Sequence, residues 1–548
     1  MKRVTLVLLL VCVHLAPGIT RAAASLSPKQ TTLVPMRDGV RLGTDVYLPD
    51  GAGPFPVILL RSPYNKDLGA GLGADARRRG YGMVIQDTRG RFASEGENLP
   101  FEADGWAGHW DGWDTVQWVR RQPWCNGKIG TYGGSALGIT QLLLAGAGTP
   151  AVTCQHITVG APSLYHDVVF PGGVFKKAMI EDWLRSSKFS PKALVLWTSH
   201  PLYDDYWRQR ELNHRYRDVN TAAIHIGGWF DIFTQGTLDA FNGYQTRAGP
   251  AARRHQRLLI GPWTHGVLQA QAGELKFPGG QHPPNHVEDA WRWFDAELKG
   301  VTNGFDRLPA VTYYVMGDVT DPAAPGNAWR TAAQWPPGLA NVTAYYLHAD
   351  HTLSPRSGPA QGDLTYTYDP QHPAPTIGGP QLTLPAGPRD QHTLERRPDV
   401  LVFTSAPLAG PLEVTGRVRV QLWIASDAPD TDFFAKLCDV YPDGRSFNLC
   451  EGQLRARFRR GFARARRLEP GRGYPLDLDL WSTSVVFNRG HRLRVDVTSS
   501  SAPGYDPNPN TGEPFRASSR TRVAHNRVLV DGRHASAILL PLVPNTAR

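Results

Sequence analysis

A chain of 548 residues is too long for one hydrophobic core and predicts about two or three domains. A hydrophobic fraction of 41% excludes an intrinsically disordered chain. The net charge of +10 is spread along the sequence, and its densest basic run, Arg455–Arg467, has no stacking-aromatic module beside it. We therefore interpret this run as a solvated face and predict no nucleic-acid partner.

The N-terminus has the pattern of a secretory signal peptide. Lys2 and Arg3 precede the apolar stretch Val4–Val13, and Ala22–Ala24 supplies the small residues of a cleavage site. We predict cleavage near Ala24 and export to the periplasm or the medium. The apolar stretch is too short to span a bilayer and no other segment is long enough, so no membrane insertion is predicted.

Export would place the cysteines of the mature chain in an oxidising compartment, where disulfides persist. Cys438 and Cys450 flank the turn signal Pro442–Arg445, and a short hairpin loop would bring them opposite each other. We predict a disulfide between them. Cys125 and Cys154 each precede an apolar strand, and the sequence leaves open whether they are bonded or are separate buried thiols.

The first half of the chain has the pattern of a parallel sheet. Residues 31–49 alternate around the turn Asp38-Gly39 and predict an antiparallel hairpin at the sheet edge. Short apolar runs then alternate with helical stretches, as in a parallel sheet covered on both faces, and residues 111–122 have the spacing of one covering helix. The apolar runs are Phe55–Leu60, Met83–Asp87, Lys128–Tyr132, Gln155–Val159, Ala223–Ile226 and Arg257–Ile260.

After residue 159 the chain has patterns typical of two further architectures. About sixty residues separate the strands near 159 and 223, too many for an ordinary crossover, and we interpret them as a helical cap over the site. A helix follows over residues 287–299, and from about residue 310 many short alternating strands predict a jelly-roll β-sandwich. The predicted parts are a signal peptide (1–24), a hydrolase domain (25–162 and 222–309), a cap (163–221) and a jelly roll (310–548).

The stretch Lys128–Gly138 has the form of a nucleophile elbow, in which a strand breaks at glycines, presents one serine and enters a helix. Ser135 is therefore the candidate nucleophile, although a Gly-Gly-Ser sequence before a helix is also an ordinary turn with an N-cap serine. The general motif has glycine two residues after the serine, where this chain has Leu137, and its glycine comes one place later.

A serine nucleophile needs a histidine that accepts its proton and an acid that orients the histidine. In parallel-sheet hydrolases both partners lie in loops after later strands, in the order serine, acid, histidine. The segment Gly227–Asp231 directly follows the strand at 223–226, and the segment Gly261–His265 directly follows the strand at 257–260. Taken alone, Asp231 is also consistent with a helix N-cap and His265 with a structural loop residue. Their joint placement after two strands predicts a catalytic triad.

An oxyanion hole would complete the site. The backbone N–H after the nucleophile, here that of Ala136, is one expected donor, and the second comes from an early loop. The early loop Arg61–Lys66 lacks the glycine run that offers a backbone amide, so we interpret the Tyr64 hydroxyl as the second donor, with a packed surface aromatic as the alternative.

Further motifs accompany these residues. They are Arg61–Tyr64, Gln86–Arg91, Ser94–Gly96, Gly133–Gly138, Gly227–Asp231, Gly261–His265, Trp293–Asp295, Leu298–Gly300, Gly490–Asp496 and Asn508–Gly512. Together they resemble the CocE/NonD-type serine hydrolases, which include bacterial cocaine esterase, α-amino acid ester hydrolases, some glutaryl-cephalosporin acylases and X-prolyl dipeptidyl peptidases.

This resemblance extends from about residue 30 to the C-terminus. It implies an α/β-hydrolase domain, a helical cap and a C-terminal jelly roll, with Ser135 as nucleophile, His265 as base and Asp231 as its orienting acid. It also implies an oxyanion hole made by the Tyr64 hydroxyl and the Ala136 amide. The elbow of the family, G-x-S-x-x-G, accounts for the glycine at position 138.

The expected substrate is a small ester or amide. The amino acid ester hydrolases have acids two and three residues after the triad aspartate, where this chain has Phe233 and Thr234, so an apolar or aromatic acyl group is favoured. We expect Phe233 and Trp229 to line the pocket. Asp167, Asp204 and Asp205 in the cap are alternative anchors for a substrate amine or simply helix-end carboxylates. The alternative functions are an X-prolyl dipeptidyl aminopeptidase and a non-catalytic glycan-binding protein.

The sequence predicts neither a cofactor nor a metal. His282 and His286 have no His-Glu-x-x-His context, and Asp506–Asn510 departs from a calcium loop at the glycine and the final glutamate. The expected partner is the small-molecule substrate, and the sequence does not predict a homo-oligomer.

Overall fold

The computed structural model describes residues 29–338, 340–358 and 362–544. The predicted signal peptide, residues 1–24, lies outside the described residues. Within the described ranges, no helix has both the length and the apolar character needed to cross a membrane.

The chain alternates strands and helices before residue 310 and is rich in strands after it. The strands are β1 (Gln30–Pro35), β2 (Arg41–Tyr47), β3 (Phe55–Ser62), β4 (Gly82–Asp87), β5 (Cys125–Gly134), β6 (Val152–Thr158), β7 (Ala222–Gly228), β8 (Gln256–Gly261), β9 (Gln271–Ala272), β10 (Leu275–Lys276), β11 (Val311–Val315), β12 (Ala328–Ala332), β13 (Asn341–Leu347), β14 (Thr352–Ser354), β15 (Asp363–Tyr368), β16 (Leu401–Ser405), β17 (Leu412–Ser426), β18 (Asp432–Val440), β19 (Ser446–Arg455), β20 (Tyr474–Phe487), β21 (Arg492–Thr498), β22 (Ala524–Leu529) and β23 (Ala537–Val543). The helices are α1 (Ala70–Arg78), α2 (Asp111–Arg120), α3 (Ala136–Gly146), α4 (Lys177–Ser186), α5 (Pro191–Ser199), α6 (Asp205–Arg208), α7 (Thr234–Arg247), α8 (Ala290–Lys299) and α9 (His392–Glu395).

The first large sheet has the order β1-β2-β4-β3-β5-β6-β7-β8-β11-β12. Its strands from β4 to β11 are parallel, whereas β1, β2 and β12 are antiparallel at the two edges. In β3, Ile58 and Leu60 pack under α1 and α8, and Val57 and Leu59 pack under α2 and α3. Because the strands are buried on both faces, strands such as β3 lack a regular alternation of apolar and polar residues. The predicted α/β-hydrolase architecture is confirmed.

One predicted domain boundary needs correction. Residues from 310 onward were assigned to the jelly roll, but β11 pairs in parallel with β8 and β12 pairs with β11, so both strands belong to the first sheet. All residues of β11 are buried, and a short apolar run of this kind fits a buried parallel strand as well as a sandwich strand. The second sheet therefore begins with β13.

The connection between β6 and β7 is helical and lies over the carboxyl ends of the strands. It contains a π-helical turn, Leu164–Val169, followed by α4, α5 and α6. Aromatic and aliphatic side chains of this segment form one buried cluster with α3 and with the loop after β7, which includes Ile139, Trp197, Trp207 and Phe233. The cap is therefore packed directly on the region of the elbow.

The strands from β13 onward form a β-sandwich. Their order is β15-β22-β17-β23-β13-β14-β16-β21-β18-β19, and β20 pairs with β17. In β15, buried and exposed residues alternate, as expected where one face meets a core and the other meets water. The core of this domain is continuous with side chains of β11 and with Trp229 and Phe230 of the first sheet, so the two domains share one apolar interface.

The predicted disulfide between Cys438 and Cys450 is wrong, because both cysteines are free in the structure. The hairpin of β18 and β19 contains a register shift that places Cys450 opposite Leu437 and Cys438 opposite Asn448. Since adjacent residues of a strand point to opposite faces, the two thiols lie on opposite sides of the sheet. The sequence gives no signal of this bulge. Cys125 and Cys154 are also free.

The basic run Arg455–Arg467 is only partly a solvated face. Arg455 and Arg457 are buried and form ion pairs with Asp432 (Nε–Oδ1 2.9 Å) and Asp430 (Nε–Oδ2 2.6 Å). The remaining arginines of the run are exposed or partly exposed. The side chain of Asn508 donates to both aspartates, which gives the turn Asp506–Asn510 a structural role.

Candidate active site

Ser135 lies at the sharp turn between β5 and α3. Its backbone adopts φ 59° and ψ −125°, a combination that non-glycine residues rarely adopt and that is frequent at functional sites. Its N–H donates to Thr158 O on β6 at 3.0 Å. A Cβ on Gly133 would lie 2.5 Å from Leu137 Cβ, and a Cβ on Gly138 would lie 3.0 Å from Thr158 O. The two glycines therefore permit the close approach of helix and strands on which the turn depends.

Three predicted residues meet at the carboxyl ends of β5, β7 and β8. His265 Nε2 lies 2.8 Å from Ser135 Oγ, and His265 Nδ1 lies 2.6 Å from Asp231 Oδ1. Both are hydrogen-bonding distances, so the imidazole of His265 links the serine hydroxyl to the aspartate carboxylate. The geometry is that of a nucleophile with its general base and an orienting carboxylate.

The carboxylate of Asp231 is fully buried and both of its oxygens are used. Oδ2 accepts the backbone N–H of Phe233 at 2.8 Å, while Oδ1 faces His265. The ring of Phe233 packs edge-on against the imidazole, with centroids 5.7 Å apart and planes at 85°. These contacts fix the orientation of the imidazole from two sides.

Tyr64 lies in the loop after β3, beside the cap. Its hydroxyl oxygen accepts the indole N–H of Trp183 on α4 at 2.8 Å. Burial raises the pKa of Tyr64 to about 12, so the hydroxyl keeps its proton at neutral pH. Because an indole N–H can only donate, the O–H of Tyr64 remains available as a donor to another acceptor.

Ala136 is the first residue of α3 and is buried next to Ser135. The first N–H groups of a helix have no partner within the helix, and the positive end of the helix dipole lies at the same place. The amide of Ala136 is therefore oriented as a donor at the nucleophile, as the sequence predicts for this position in an elbow.

A narrow pocket opens on Ser135, and its cavity volume is about 20 Å³. Apart from Ser135 itself, its walls are formed by aromatic and aliphatic side chains from the hydrolase domain, the cap and the C-terminal part of the chain. They are Phe101, Ala136, Ile139, Val168, Met179, Ile180, Trp183, Ile232, Phe233 and Leu382. The character of these walls suits an apolar group and offers no charged partner, and the walls must move apart to admit an acyl group.

The structure separates the two residues expected to line the pocket. Phe233 is part of the wall, next to the imidazole. Trp229 points the other way, because its indole N–H donates to Tyr314 O on β11 at 2.7 Å and its ring packs against Trp335 at 5.4 Å. The prediction for Trp229 is therefore wrong, since this side chain belongs to the interface with the β-sandwich.

The three cap aspartates have local partners. Asp167 is buried, accepts the N–H of Ser163 at 3.0 Å and has a pKa raised well above its usual range by burial. Asp204 caps α6 and contacts His200 at 2.6 Å, and Asp205 pairs with Arg208. None of them is among the pocket walls formed by the described residues.

Lys176 is a buried cation that the sequence did not reveal. It precedes α4, is completely buried, and its Nζ has no hydrogen-bond partner among the described residues. The ammonium lies 5.8 Å from the ring centre of Trp481 on β20. Burial lowers the pKa of Lys176 to about 8, against the opposing influence of Asp231, Glu451 and Asp167. A positive charge is thus held at the junction of the cap and the β-sandwich.

Most pocket walls were also not identified from the sequence. Met179, Ile180 and Trp183 share one side of α4, and helical spacing in the cap is the signal that could have selected them. Leu382 comes from the proline- and glycine-rich connection at 355–387, which was interpreted only as a link between strands. Nothing in its local sequence indicates that it reaches the pocket.

Comparison with known families agrees with this arrangement. The chain matches the model described as X-Pro dipeptidyl-peptidase (S15 family) over residues 38–195 and 177–267. It matches the model described as the X-Pro dipeptidyl-peptidase C-terminal non-catalytic domain over residues 303–539. The first match includes Ser135, Asp231 and His265, and the second includes the β-sandwich.

Individual relatives match over nearly the whole chain. Cocaine esterase from Rhodococcus sp. (strain MB1 Bresler) is 33% identical over 584 aligned residues, which cover 94% of this chain and 99% of the esterase. An aminopeptidase from the marine sediment archaeon Thaumarchaeota archaeon superposes with a TM-score of 0.79 at 25% identity, over 97% of this chain and 99% of that chain. An α-amino acid ester hydrolase superposes with a TM-score of 0.78 at 24% identity, over 97% and 99% of the two chains, and shares the fold.

Proposed function

The chain belongs to the serine hydrolase family of cocaine esterase and the X-Pro dipeptidyl-peptidases, and from this premise we propose that it hydrolyses a carboxylic ester or amide through an acyl-enzyme on Ser135. The observation that carries the proposal is the continuous contact from Ser135 Oγ through His265 to Asp231, at 2.8 and 2.6 Å. In this proposal His265 is the general base and Asp231 holds its tautomer and orientation.

The reaction has two halves. In the first, Ser135 Oγ attacks the carbonyl carbon while His265 Nε2 takes the hydroxyl proton, and the imidazolium then gives this proton to the departing alcohol or amine. In the second, water attacks the acyl-enzyme, His265 accepts a proton from the water and returns it to Ser135, and the carboxylic acid leaves. Asp231 stays ionised throughout and stabilises the imidazolium.

The negative oxygen of each tetrahedral intermediate needs donors, and we assign them to the Ala136 amide and the Tyr64 hydroxyl. The contact with Trp183 supports this role for Tyr64, because it occupies a lone pair of the hydroxyl oxygen and orients the group without using its proton. A pKa of about 12 keeps the phenol protonated over the working pH range of a hydrolase.

The pocket supports an apolar or aromatic acyl group. Its walls are apolar, and Phe233 stands where the amino acid ester hydrolases have the first of their acids. Burial of an apolar acyl group of ordinary size stabilises the complex by about 25 cal/mol per Å² of buried surface. A charged acyl group would lose its water without finding a partner among the described pocket walls.

An X-prolyl aminopeptidase is the second candidate, favoured by the descriptions of the matching family models and by the archaeal aminopeptidase. Such an enzyme must recognise the free amine of its peptide, which requires an anionic anchor. The pocket walls within the described ranges include no carboxylate, and the buried Asp167 bonds to the backbone instead. We therefore rank the esterase first.

A substrate panel on the mature protein tests this ranking. We expect p-nitrophenyl esters with aromatic or medium aliphatic acyl groups to be hydrolysed with a kcat/KM at least about a hundredfold above that for Gly-Pro-p-nitroanilide, in line with the selectivity that an unpaired buried charge imposes. Faster turnover of the prolyl substrate than of every ester would reverse the ranking. Phe233→Asp is the matched variant, and it should lower ester turnover.

Loss of the Tyr64 hydroxyl is expected to slow catalysis without unfolding the protein. Tyr64→Phe should lower kcat by about ten- to a thousandfold, the range for one lost oxyanion donor, with little change in KM. The control is Tyr206→Phe, which removes a hydroxyl that bonds to Glu102 in the same aromatic cluster. Equal kcat values for Tyr64→Phe and wild type would leave Tyr64 with a packing role only.

We further propose that the protein is exported, on the basis of the N-terminal pattern with its cleavage site near Ala24. Cell fractionation with N-terminal sequencing checks this: we expect the protein in the periplasm or medium with an N-terminus near Ser25, and a chain that stays in the cytoplasm with Met1 would contradict it. Export is compatible with the free thiols because they are buried or partly buried.

A further inference from the structure

The β-sandwich contains a second group of chemically reactive side chains, far along the sequence from the triad. Glu395, Cys438 and Asp496 each offer one donor atom, and these atoms all lie within 4.8 Å of one another. Glu395 comes from α9, Cys438 from β18 and Asp496 from β21. We call these three residues the sandwich cluster.

Strand pairing explains why two members of the cluster meet. In the antiparallel pair of β18 and β21, Lys436 lies opposite Asp496 and Cys438 lies opposite Arg494. Cys438 and Asp496 are therefore diagonal neighbours on one face of the sheet. Glu395 reaches the same face from α9, where Arg494 donates to its Oε2 atom.

The carboxylates of the cluster have unused oxygens. Asp496 is 2% exposed, its Oδ2 accepts only the weak S–H donor of Cys438 at 3.6 Å, and its Oδ1 has no partner among the described residues. The side chain of Glu395 is 5% exposed, and its Oε1 also has no partner within the described part of the chain. Burying an ionised carboxylate without a partner costs free energy, and a bound cation or a proton on the carboxylate would lower this cost.

The nearby cations do not satisfy these oxygens. Lys436 faces Asp496 across the strands, but its ammonium donates to Gln391 Oε1 at 2.9 Å and Ile377 O at 3.3 Å, and lies 3.4 Å from Glu451. Arg494 uses its guanidinium on Glu395 Oε2 and on Thr404 Oγ1. The thiol of Cys438 and the oxygens Asp496 Oδ1 and Glu395 Oε1 thus have no strong hydrogen-bond partner among the described residues.

The cluster lies beside a groove that is open to solvent. Glu395 forms part of the wall of an open groove of about 780 Å³ on the β-sandwich. His392, which precedes Glu395 by three residues on α9 and so lies on the same side of the helix, lines the same groove. The unpartnered oxygen of Glu395 is itself buried, so an ion in the groove reaches it after a movement of this side chain.

We propose that the sandwich cluster binds one divalent zinc ion. A thiolate with two carboxylates suits Zn²⁺, which accepts sulfur and oxygen ligands together, whereas Ca²⁺ and Mg²⁺ take oxygen ligands alone. Binding replaces the S–H bond of Cys438 by a zinc–sulfur bond and releases the proton to solvent. The fourth ligand is a water molecule.

The spacing of the donors is compatible with this ion. Zinc–sulfur and zinc–oxygen distances of about 2.3 and 2.1 Å separate the donors of a tetrahedral site by roughly 3.5 Å. The donor atoms lie within 4.8 Å of one another, so zinc binding requires side-chain rotations that draw them together.

Titration of the chelator-treated full-length mature protein with Co²⁺, a spectroscopic substitute for Zn²⁺, tests the proposal. We expect one equivalent to bind and to produce thiolate-to-cobalt charge-transfer absorption in the near ultraviolet, which Zn²⁺ then displaces. Cys438→Ala should abolish this absorption and weaken binding at least about a hundredfold, since even outer contacts of a metal site are worth ten- to a hundredfold.

The matched control is Cys450→Ala, which removes the other free thiol of the same hairpin, on the opposite face of the sheet. It should bind Co²⁺ like the wild type. Ester turnover and circular dichroism verify folding, because Cys438 has no part in the proposed catalysis. If Cys438→Ala does not fold, Asp496→Asn serves in its place, with the same expected loss of affinity. A wild-type titration without charge-transfer absorption, or absorption lost equally in both cysteine variants, would overturn the proposal.

Discussion

Ser135→Ala is expected to lower the turnover of a p-nitrophenyl ester by about 10⁴- to 10⁶-fold and to abolish covalent labelling by a fluorophosphonate probe. The reason is that Ser135 Oγ, 2.8 Å from His265 Nε2, is the atom proposed to form the acyl-enzyme. The oxyanion donors and the pocket remain in the variant, so a residual rate above that of water should persist.

The alanine variant should fold normally. Alanine keeps the Cβ, so the backbone at φ 59° is no more strained than with serine, and the N–H bond to Thr158 O is retained. Ser186→Ala is the control, because its hydroxyl donates to Trp183 O within the cap and lies outside the triad. This control should be labelled and should hydrolyse esters like the wild type.

His265→Ala distinguishes an activated serine from an exposed one. If the imidazole activates Ser135, this variant should also lose labelling, although its nucleophile is intact. Labelling of Ser135→Ala at the wild-type level would assign the nucleophile to another residue. Loss of labelling in the serine variant but not in the histidine variant would remove His265 from the role of base.

The parts of the site that could be predicted from the sequence are those fixed by sheet topology. Parallel strands place their carboxyl ends at one edge, so residues directly after β5, β7 and β8 must be neighbours. Asp231 lies three residues after the end of β7 and His265 four residues after the end of β8, which left little freedom in where they could lie. The helix α3 and its glycines were predictable for the same reason, because the turn itself restricts the residues that fit.

The features that the sequence did not predict correctly lie in long connections, beside irregular strand pairing or in short apolar segments. Leu382 reaches the pocket from a loop without periodicity, and Trp229 was placed on the wrong side because both sides of its turn are apolar. The register shift between β18 and β19 separates Cys438 from Cys450, and a bulge of this kind leaves no mark in hydrophobic alternation. The strand β11 was assigned to the wrong sheet because it is short and apolar throughout.

The sandwich cluster escaped notice for a related reason. Metal motifs in sequences are recognised by ligands at fixed short spacing, whereas Glu395, Cys438 and Asp496 belong to three elements that pairing and packing bring together. Lys176 is similar, since its burial is produced by the closure of the cap against β20 rather than by its neighbours in sequence.

Asp231→Asn is expected to lower kcat by about 10⁴-fold while leaving KM and stability nearly unchanged. The structure explains why an isosteric change should be so costly. Asp231 Oδ2 accepts the backbone N–H of Phe233, which is fixed in position. The single oxygen of asparagine must therefore occupy the Oδ2 position, because its NH₂ group there would face the N–H of Phe233, donor against donor. Its NH₂ group then faces His265 Nδ1.

A donor at that position forces His265 into the wrong tautomer. Nδ1 must accept the hydrogen bond, the ring proton moves to Nε2, and Nε2 then donates towards Ser135 Oγ instead of accepting its proton. The base is lost although no atom has moved. Asp231→Ala removes the opposing NH₂ group and leaves the tautomer free, so it should retain no less activity than Asp231→Asn, in spite of its larger structural change.

The control for this substitution is Asp167→Asn, the same change at a buried carboxyl group in the cap. The carboxyl group of Asp167 is buried and accepts the backbone N–H of Ser163, a contact that the oxygen of asparagine can keep. We expect kcat for Asp167→Asn within about threefold of wild type. If replacing any buried carboxyl group were enough to lower kcat, Asp167→Asn and Asp231→Asn would lose activity equally. A kcat for Asp231→Asn within about tenfold of wild type would mean that His265 takes its orientation from Phe233 and the surrounding backbone, and that the carboxylate is dispensable for catalysis.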